Sequence, residues 1–309
     1  MANVYNGVII FAAEPIHVYG EAFMKSIKTF VVLTWVLSSL LLFSSSEAAT
    51  PGIARWAKSV VAGTNSSAFS SVTRDSAGNI YAVGTIAGTE SYDFGNGVTV
   101  AGTASGSNVS NVVLVKYNSS GTAQWAKSVV AGADGSRFTS VILDSAGNIY
   151  TVGYIEGSGS YDFGNGATVA GRAPGLVLVK YNSSGAAQWA KSVVAGTNNS
   201  SFYSVTLDSA GNIYAAGEID GAGSYDFGNG VTVAGTCTGG SGGFGNVVLV
   251  KYNSSGNAQW AKSVVAGTGR SGFFSVTLDS SGNIYAIGVA CRNNTKVTRR
   301  AARPFQISD

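Results

Sequence analysis

Residues 205–217, VTLDSAGNIYAAG, contain two short runs rich in β-branched, apolar and aromatic residues on either side of the sequence DSAGN. Asp208 can accept hydrogen bonds from backbone N–H groups of such a turn, and Gly211 can adopt a positive φ. The stretch therefore predicts a β-hairpin. The same pattern occurs four times in the chain, at residues 72–84, 141–153, 205–217 and 276–288.

A second hairpin is predicted further along each repeat. In the third copy NVVLVKYN runs into SSG and then into AQWAKSVV, with Asn253 and Gly256 in the turn. Between the two hairpins, residues 225–235 (YDFGNGVTVAG) carry an Asn-Gly turn signal and predict a short extra hairpin or an extended arm. Two hairpins per repeat give a four-stranded antiparallel sheet, and stacked sheets of this kind form the blades of a β-propeller.

The spacing of the repeats locates their variable part. The tryptophan of WAKSVVAG occurs at Trp56, Trp125, Trp189 and Trp260, so the periods are 69, 64 and 71 residues. All of this variation falls between the TVAG and LVK segments, where the steps are 14, 9 and 16 residues. A length change inside a paired strand would move side chains to the wrong face, so these segments are predicted to be surface loops. The three loops are Thr103–Ser110, Arg172–Gly175 and Thr236–Gly245.

The repeated tryptophans and tyrosines are expected to pack between sheets, because a large apolar residue at a fixed strand position usually serves packing. A ligand-stacking platform formed by Trp125, Trp189 and Trp260 is the alternative.

The segments DSAGNIYAVG, YDFGNG, VVLVKYNSSG and AQWAKS, in this order, resemble the bacterial β-propeller repeat (SBBP repeat) of exported and cell-surface proteins. The resemblance covers residues 54 to 290 and implies an all-β fold of blades in an extracytoplasmic setting. It brings no catalytic residues. Only three periods are complete, so either a small fourfold ring or an open arc is expected. In the ring, the Trp56 segment would be the outermost strand of the blade begun by residues 275–288.

The chain divides into four parts. Residues 24–48 predict a helical, cleavable signal peptide. It has Lys25 and Lys28, a 14-residue apolar run and a cleavage site with small residues that ends at Ala48. That run is shorter than the roughly 20 residues that span a bilayer, so no membrane span is expected in the mature chain. Residues 1–23 are interpreted as a spurious upstream extension. The repeat body covers residues 49–290, in units of about 56–124, 125–188, 189–259 and a partial 260–290. Residues 291–309 form a discordant basic tail, interpreted as the result of truncation or a frameshift, with a purposeful basic tail as the alternative.

Charge and residue usage argue against several kinds of chemistry. The net charge is +3, but the body from Ala49 to Ala290 has twelve basic and twelve acidic residues, so no nucleic-acid partner is expected. His17, the single histidine, lies before the leader, which excludes Ser-His triads and His-ligated metals in the mature chain. Cys237 and Cys291 show no CxxC spacing, although they could pair in an oxidising compartment.

The repeated carboxylates are interpreted mainly as turn residues, as in Asp75, Asp144, Asp208 and Asp279. Asp93, Asp162 and Asp226 of YDFGNG have oxygen ligands suited to Ca²⁺, but one carboxylate per turn is too few without neighbouring loops. Accordingly, no catalytic, cofactor-binding or metal residue is predicted.

The sequence favours a non-enzymatic, exported scaffold that is secreted, periplasmic or on the cell surface. Its variable loops would bind an unknown protein or glycan in an interaction or adhesion role. Two alternatives stay open: a truncated gene copy without selected activity, and a carbohydrate-active propeller enzyme. The enzyme would need an unrepeated cluster of carboxylates, Arg and Tyr, for which Glu90, Glu156 and Glu218 come closest, although Glu90 is out of step with the other two.

Overall fold

A computed structural model of the chain describes residues 56–106, 109–172, 174–196, 198–237, 245–265 and 269–290. Every regular element in these ranges is a β-strand. The described residues from Lys58 onwards fall in one unit, whereas Trp56 and Ala57 belong to a second unit, Ala12–Ala57. The predicted signal peptide, the upstream extension and the basic tail all lie outside the described residues.

The repeat body contains three four-stranded antiparallel sheets, each built from two consecutive hairpins. In spatial order, the first sheet consists of β1 (Ser67–Arg74), β2 (Ile80–Ala87), β5 (Ser110–Tyr117) and β6 (Ala123–Lys127). The second consists of β7 (Ser136–Leu143), β8 (Ile149–Ile155), β11 (Gly175–Tyr181) and β12 (Ala187–Ser192). The third consists of β13 (Ser200–Leu207), β14 (Ile213–Ile219), β17 (Asn246–Tyr252) and β18 (Ala258–Ser263). The predicted four-stranded sheets are confirmed.

A short hairpin is inserted between the second and third strands of each sheet, as the YDFGNG segment predicts. These arms are β3 (Ser91–Asp93) with β4 (Thr99–Ala101), β9 (Ser160–Asp162) with β10 (Thr168–Ala170), and β15 (Ser224–Asp226) with β16 (Thr232–Ala234). The middle Asn of each GNG turn has a positive φ, 54° at Asn165. This conformation is accessible to Asn and Gly and explains the turn sequence.

A fourth sheet contains only β19 (Ser271–Leu278) and β20 (Ile284–Ala290). The strand expected at Trp56, which the fourfold ring requires, is not formed, because residues 56–60 have no strand conformation. A closed ring is therefore not present in the described part of the chain, and the fourth sheet lacks its second hairpin there.

The turn DSAGN folds as its chemistry predicts. Asp208 Oδ1 accepts a hydrogen bond from the backbone N–H of Asn212 at 2.8 Å, and the other carboxylate oxygen accepts one from the Asn212 side chain at 2.7 Å. Tyr214 also donates its hydroxyl hydrogen to this carboxylate, at 3.2 Å. Partial burial acts to raise the pKa of Asp208, but these hydrogen bonds outweigh it and lower the pKa. Gly211 has a φ of 79°, which completes the turn.

The hydrophobic core lies between consecutive sheets. The first strand of each later sheet packs on the preceding sheet: β7 on β1, β2 and β5, β13 on β7, β8 and β11, and β19 on β13, β14 and β17. Phe138 and Val141 of β7, for example, join one cluster with Tyr81, Val83 and Leu114 of the first sheet. Burial of these apolar side chains is the main force that stacks one repeat on the next.

Three of the repeated tryptophans, Trp125, Trp189 and Trp260, flank this core, as expected for packing residues. Trp189 is half-buried, meets the edge of Tyr150 at a ring-centroid distance of 6.3 Å, and packs against the core between the second and third sheets. A Cβ added to Gly256 would lie 3.0 Å from the indole, so the turn of the third sheet's second hairpin rests on this ring.

Trp189→Ala is expected to lower the free energy of unfolding by about 2 to 4 kcal/mol, because it opens a gap beneath the Gly256 turn. Trp260→Ala is the matched control. It should cost less, since the described part of the fourth sheet has no second hairpin to cover Trp260. Urea unfolding of both variants measures the difference. Equal losses would contradict this account, and a loss below about 1 kcal/mol at Trp189 would favour a ligand-stacking role.

Candidate functional site: an unrepeated polar rim

The described residues that flank the three variable loops lie at the same end of their sheets, where the chain enters the third strand. We call this end the variable rim: the loops Thr103–Ser110, Arg172–Gly175 and Thr236–Gly245, with the segments that lead into β7, β13 and β19. Residues 107–108, 173 and 238–244 of these loops lie outside the described residues. The described flanks show how each loop is fixed to the scaffold.

A buried serine at the start of each later sheet joins the loop to that sheet. Ser200 accepts a hydrogen bond at Oγ from the N–H of Leu176 at 3.1 Å and donates its own N–H to the Pro174 carbonyl at 2.6 Å. Ser271 bonds Val247 and Gly245 in the same way, at 3.0 and 2.8 Å. The rim is therefore continuous from one sheet to the next.

The two longer loops are also fixed by an asparagine. Asn111 is fully buried; its Oδ1 accepts hydrogen bonds from the backbone N–H groups of Thr103 and Ala104, each at 3.0 Å. Asn246 plays the same part for Thr236 and Cys237. The shortest loop has Gly175 at this position. Because the side chain replaces the backbone partners that an irregular loop lacks, loop length can vary without exposing the sheet end.

The YDFGNG arms are hydrogen-bonded to the variable rim through their tyrosine hydroxyl groups. The ring of Tyr225 is fully buried, and its hydroxyl lies 3.0 and 2.7 Å from the carbonyl oxygens of Asn199 and Asp220. These two residues flank the place where the third sheet meets the rim. Burial is the largest cause that raises the pKa of Tyr225, so the hydroxyl keeps its hydrogen and donates it to a carbonyl.

A polar cluster occurs on this rim beside the third and fourth sheets. Tyr203 in β13 donates its hydroxyl hydrogen to Glu218 Oε1 in β14 at 2.5 Å. Asp220 follows β14, and Arg270 precedes β19; charge interactions connect Arg270 with both Glu218 and Asp220. Burial raises the pKa of Glu218 and of Asp220, and the positive charge of Arg270 opposes both shifts.

The cluster is not part of the repeat. The position of Glu218 holds Thr85 in the first sheet and Tyr154 in the second, and the position of Tyr203 holds Ser70 and Thr139. The scaffold residues around it are almost constant between sheets. A polar group that differs between copies of one scaffold is typical of a site that serves recognition rather than packing.

Glu218→Gln is expected to raise the thermal stability at pH 7. A carboxyl group whose pKa is higher in the folded than in the unfolded state stabilises the fold in its protonated form. This contribution is complete below the ordinary pKa of 4.5 and is lost as the pH rises through the folded pKa. Glutamine stays neutral and still offers Tyr203 an acceptor oxygen.

Melting temperatures of parent and variant at pH 4 and pH 7 measure this effect. The variant should gain stability relative to the parent at pH 7 and match it near pH 4. Glu90→Gln, on an exposed residue, makes the same change of charge and serves as the control. A Glu218→Gln protein that is less stable than the parent at pH 7 would contradict this expectation, because it would show that the charged carboxylate stabilises the fold.

The structure separates the three glutamates that the sequence singled out. Glu90 is exposed after β2, Glu156 is exposed after β8, and only Glu218 belongs to the cluster. Sequence reasoning missed Tyr203, Asp220 and Arg270. Tyr203 and Arg270 depart from the repeat, which aligning the four copies column by column could have revealed, whereas the position of Asp220 holds Glu156 in the second sheet.

The repeated aspartates hold turns. Asp226 Oδ1 accepts a hydrogen bond from the N–H of Gly228 at 2.7 Å, and Asp93 and Asp162 do the same in their arms. Within the described ranges, no three His, Cys, Asp or Glu residues come together as metal ligands. Cys237 is buried, and Cys291 lies outside the described residues.

No protein-family model and no curated protein matches this chain. Among the described residues, no helix has the length and apolar character to cross a membrane.

Proposed function

We propose that this protein is an exported scaffold of propeller-type blades that binds a protein or glycan through its variable rim. One observation carries the proposal: nearly constant sheets support loops and side chains that differ from one repeat to the next, all at the same end. Loops on a rigid β-scaffold are a common way of building a binding surface. The resemblance to the SBBP repeat supports a bacterial, extracytoplasmic setting.

The chemistry of the rim favours a polar ligand. Tyr203 presents an amphipathic ring, Glu218 and Asp220 supply acceptor oxygens, and Arg270 supplies donors. The two longer loops, Thr103–Ser110 and Thr236–Gly245, are rich in Gly, Ser and Thr, which offer backbone and hydroxyl groups for hydrogen bonds. Such a surface suits the hydroxyl groups of a glycan or the polar surface of a protein.

A loop exchange tests the proposed function. The purified protein is bound to an array of bacterial and host glycans and surface proteins, and the variant carries the Arg172–Gly175 loop in place of Thr236–Gly245. Binding should fall more than about tenfold. The control is Gln188→Ala, an exposed residue in β12 beside the turn at the other end of the second sheet, which should leave binding unchanged. Binding that survives the exchange, or cleavage of an arrayed glycan by the parent, would overturn the proposal.

Export is expected to depend on residues 24–48 and to release a mature chain that begins at Ala49. The measurement is mass spectrometry of the N-terminal peptide from the extracellular or periplasmic fraction. Arginine substitutions within the apolar run at Leu37 and Leu41 should retain the chain in the cytoplasm. A mature protein that still carries Lys25 would contradict the assignment.

A further inference from the structure

Each junction between sheets is made by the same two surfaces. The later sheet contributes its first strand, and the earlier sheet contributes the face that carries the tyrosine of the IYAxG or IYTxG segment. Phe202 and Val205 of β13 are 0% and 5% exposed, because they lie against Tyr150 and Val152 of the second sheet. We call the first kind of surface the leading face and the second kind the trailing face.

The leading face of the first sheet has no such cover. Phe69 and Val72 of β1 occupy the positions of Phe202 and Val205, yet they are 41% and 63% exposed. Most of β1 is exposed, whereas β7, β13 and β19 each bury several residues against the preceding sheet. Two apolar side chains whose counterparts are buried in the internal junctions are therefore open to solvent at this end.

The trailing face of the fourth sheet is uncovered as well. Tyr285 and Ile287 of β20 occupy the positions of Tyr150 and Val152, which are 1% and 0% exposed. In the fourth sheet they are 42% and 38% exposed, and Phe274 beside them in β19 is 53% exposed. The two ends of the array thus carry the two halves of one junction.

Stacked-repeat proteins usually end in repeats whose outer face is polar, because an apolar end face would continue the stack. Here the first sheet keeps Phe69 and Val72 on its leading face and has Arg74 where the later sheets have Leu143, Leu207 and Leu278. The fourth sheet keeps Tyr285 and Ile287 on its trailing face. The partner that fits each end is already present inside the molecule, at the three internal junctions. Any other ligand would have to reproduce the same complementary pattern of Phe, Val, Tyr and Ile.

We propose that a second copy of this chain covers these faces, with β1 of one copy stacked on β19 and β20 of another. The contact is head-to-tail, so it uses two different surfaces and leaves one free face on each copy of a dimer. Such heterologous contacts extend into longer assemblies unless the rotation closes a ring. The inference concerns the ends of the array and does not depend on which ligand the variable rim binds.

Two substitutions test the leading face and the trailing face independently. Val72→Asp places a charge on the leading face, and Ile287→Asp places one on the trailing face; both residues are exposed in a single copy, so the fold of that copy is retained. Val265→Asp is the matched control, because Val265 is 98% exposed in the loop after β18 and lies on neither face. Circular dichroism and melting temperature verify that each variant is folded.

Sedimentation velocity of the purified full chain measures the association. The parent and Val265→Asp should form concentration-dependent dimers and longer species, and either end variant should weaken association more than about tenfold, because burying an unpaired charge is unfavourable. An equimolar mixture of the two end variants is the decisive sample. Each retains one intact face, so the mixture should form a one-to-one dimer that grows no further.

Three results would overturn the proposal. A parent that stays monomeric over the whole concentration range would show that the faces do not meet a second copy. End variants that associate as the parent does would place the contact elsewhere. Folded variants whose mixture stays monomeric would exclude the head-to-tail arrangement.

Discussion

Gly153→Ala is expected to lower the free energy of unfolding by at least about 3 kcal/mol. Gly153 in β8 lies opposite a β-bulge, where the register shifts between Phe138 and Ser140 of β7. A Cβ added to Gly153 would come within 1.8 Å of the carbonyl oxygen of Arg137. The clashing atom belongs to the backbone, which can move away only if the pairing of the two strands breaks. A side-chain rotation therefore cannot relieve the clash.

Native-state hydrogen exchange over β7 and β8, with urea unfolding of the whole chain, measures the loss. Exchange is included because repeat arrays can unfold in parts. Gly159→Ala is the control: its added Cβ would have an ordinary contact, 3.9 Å from Asp134 Oδ2, and should change stability by less than about 0.5 kcal/mol. A Gly153→Ala protein with protection in β7 and β8 like that of the parent would show that the bulge is not rigid.

The same physical reason applies to every repeat. Gly84, Gly217 and Gly288 face equivalent bulges, and a Cβ at each would approach a backbone oxygen to 2.0 Å or less. The glycine that ends IYAVG, IYTVG, IYAAG and IYAIG is therefore required by the partner strand and not by a turn. The sequence shows that this glycine recurs, but the reason lies in the opposing backbone.

Local patterns predicted the hairpins and the loop positions because these depend on residues close in sequence. Asp208 and Gly211 shape a turn of a few residues, and the chemistry of that turn acts in the same way wherever the chain carries it. The constant spacing around Trp125 and Trp189 gave the boundaries of the variable loops, because paired strands cannot absorb a length change.

Features that need distant residues could not be predicted in this way. Tyr203 meets Glu218 because β13 and β14 pair with a bulge between them, and Arg270 joins them from the approach to the next sheet. The Trp56 segment was predicted to be a strand and is not one. Its sequence matches that of β6, β12 and β18, but residues 56–60 form no strand. A strand forms only where a neighbour supplies its hydrogen-bond partners, and sequence similarity does not supply one.

Tyr161 is expected to be the most sensitive residue of the YDFGNG arm. Its side chain is fully buried, its ring lies against Gly132, and its hydroxyl lies 2.9 and 2.6 Å from the carbonyl oxygens of Gly135 and Glu156. The Gly135 oxygen also accepts the N–H of Glu156 at 2.7 Å, so the tyrosine ties together the loop before β7 and the end of β8. Through these bonds the arm holds the variable rim in place.

Two substitutions distinguish the contribution of the Tyr161 ring to stability from that of its hydroxyl group. Tyr161→Ala should cost about 3 to 5 kcal/mol, because it leaves a large cavity and removes the support of the Gly132 loop. Tyr161→Phe keeps the ring but leaves the Glu156 carbonyl without this donor, which should cost about 1 to 2 kcal/mol. Hydrogen exchange in the Phe variant should rise at Glu156 and in the loop before β7, while the centre of the second sheet stays protected.

Tyr181→Phe is the matched control, in β11 of the same repeat and with the same change of one oxygen atom. Tyr181 is also fully buried, but its hydroxyl has no hydrogen-bond partner among the described residues. Removing an unsatisfied buried hydroxyl should be neutral or slightly stabilising. Urea unfolding of the two Phe variants therefore gives opposite or clearly different changes if the arm acts through its hydroxyl. Equal changes would assign the role of Tyr161 to the packing of its ring alone.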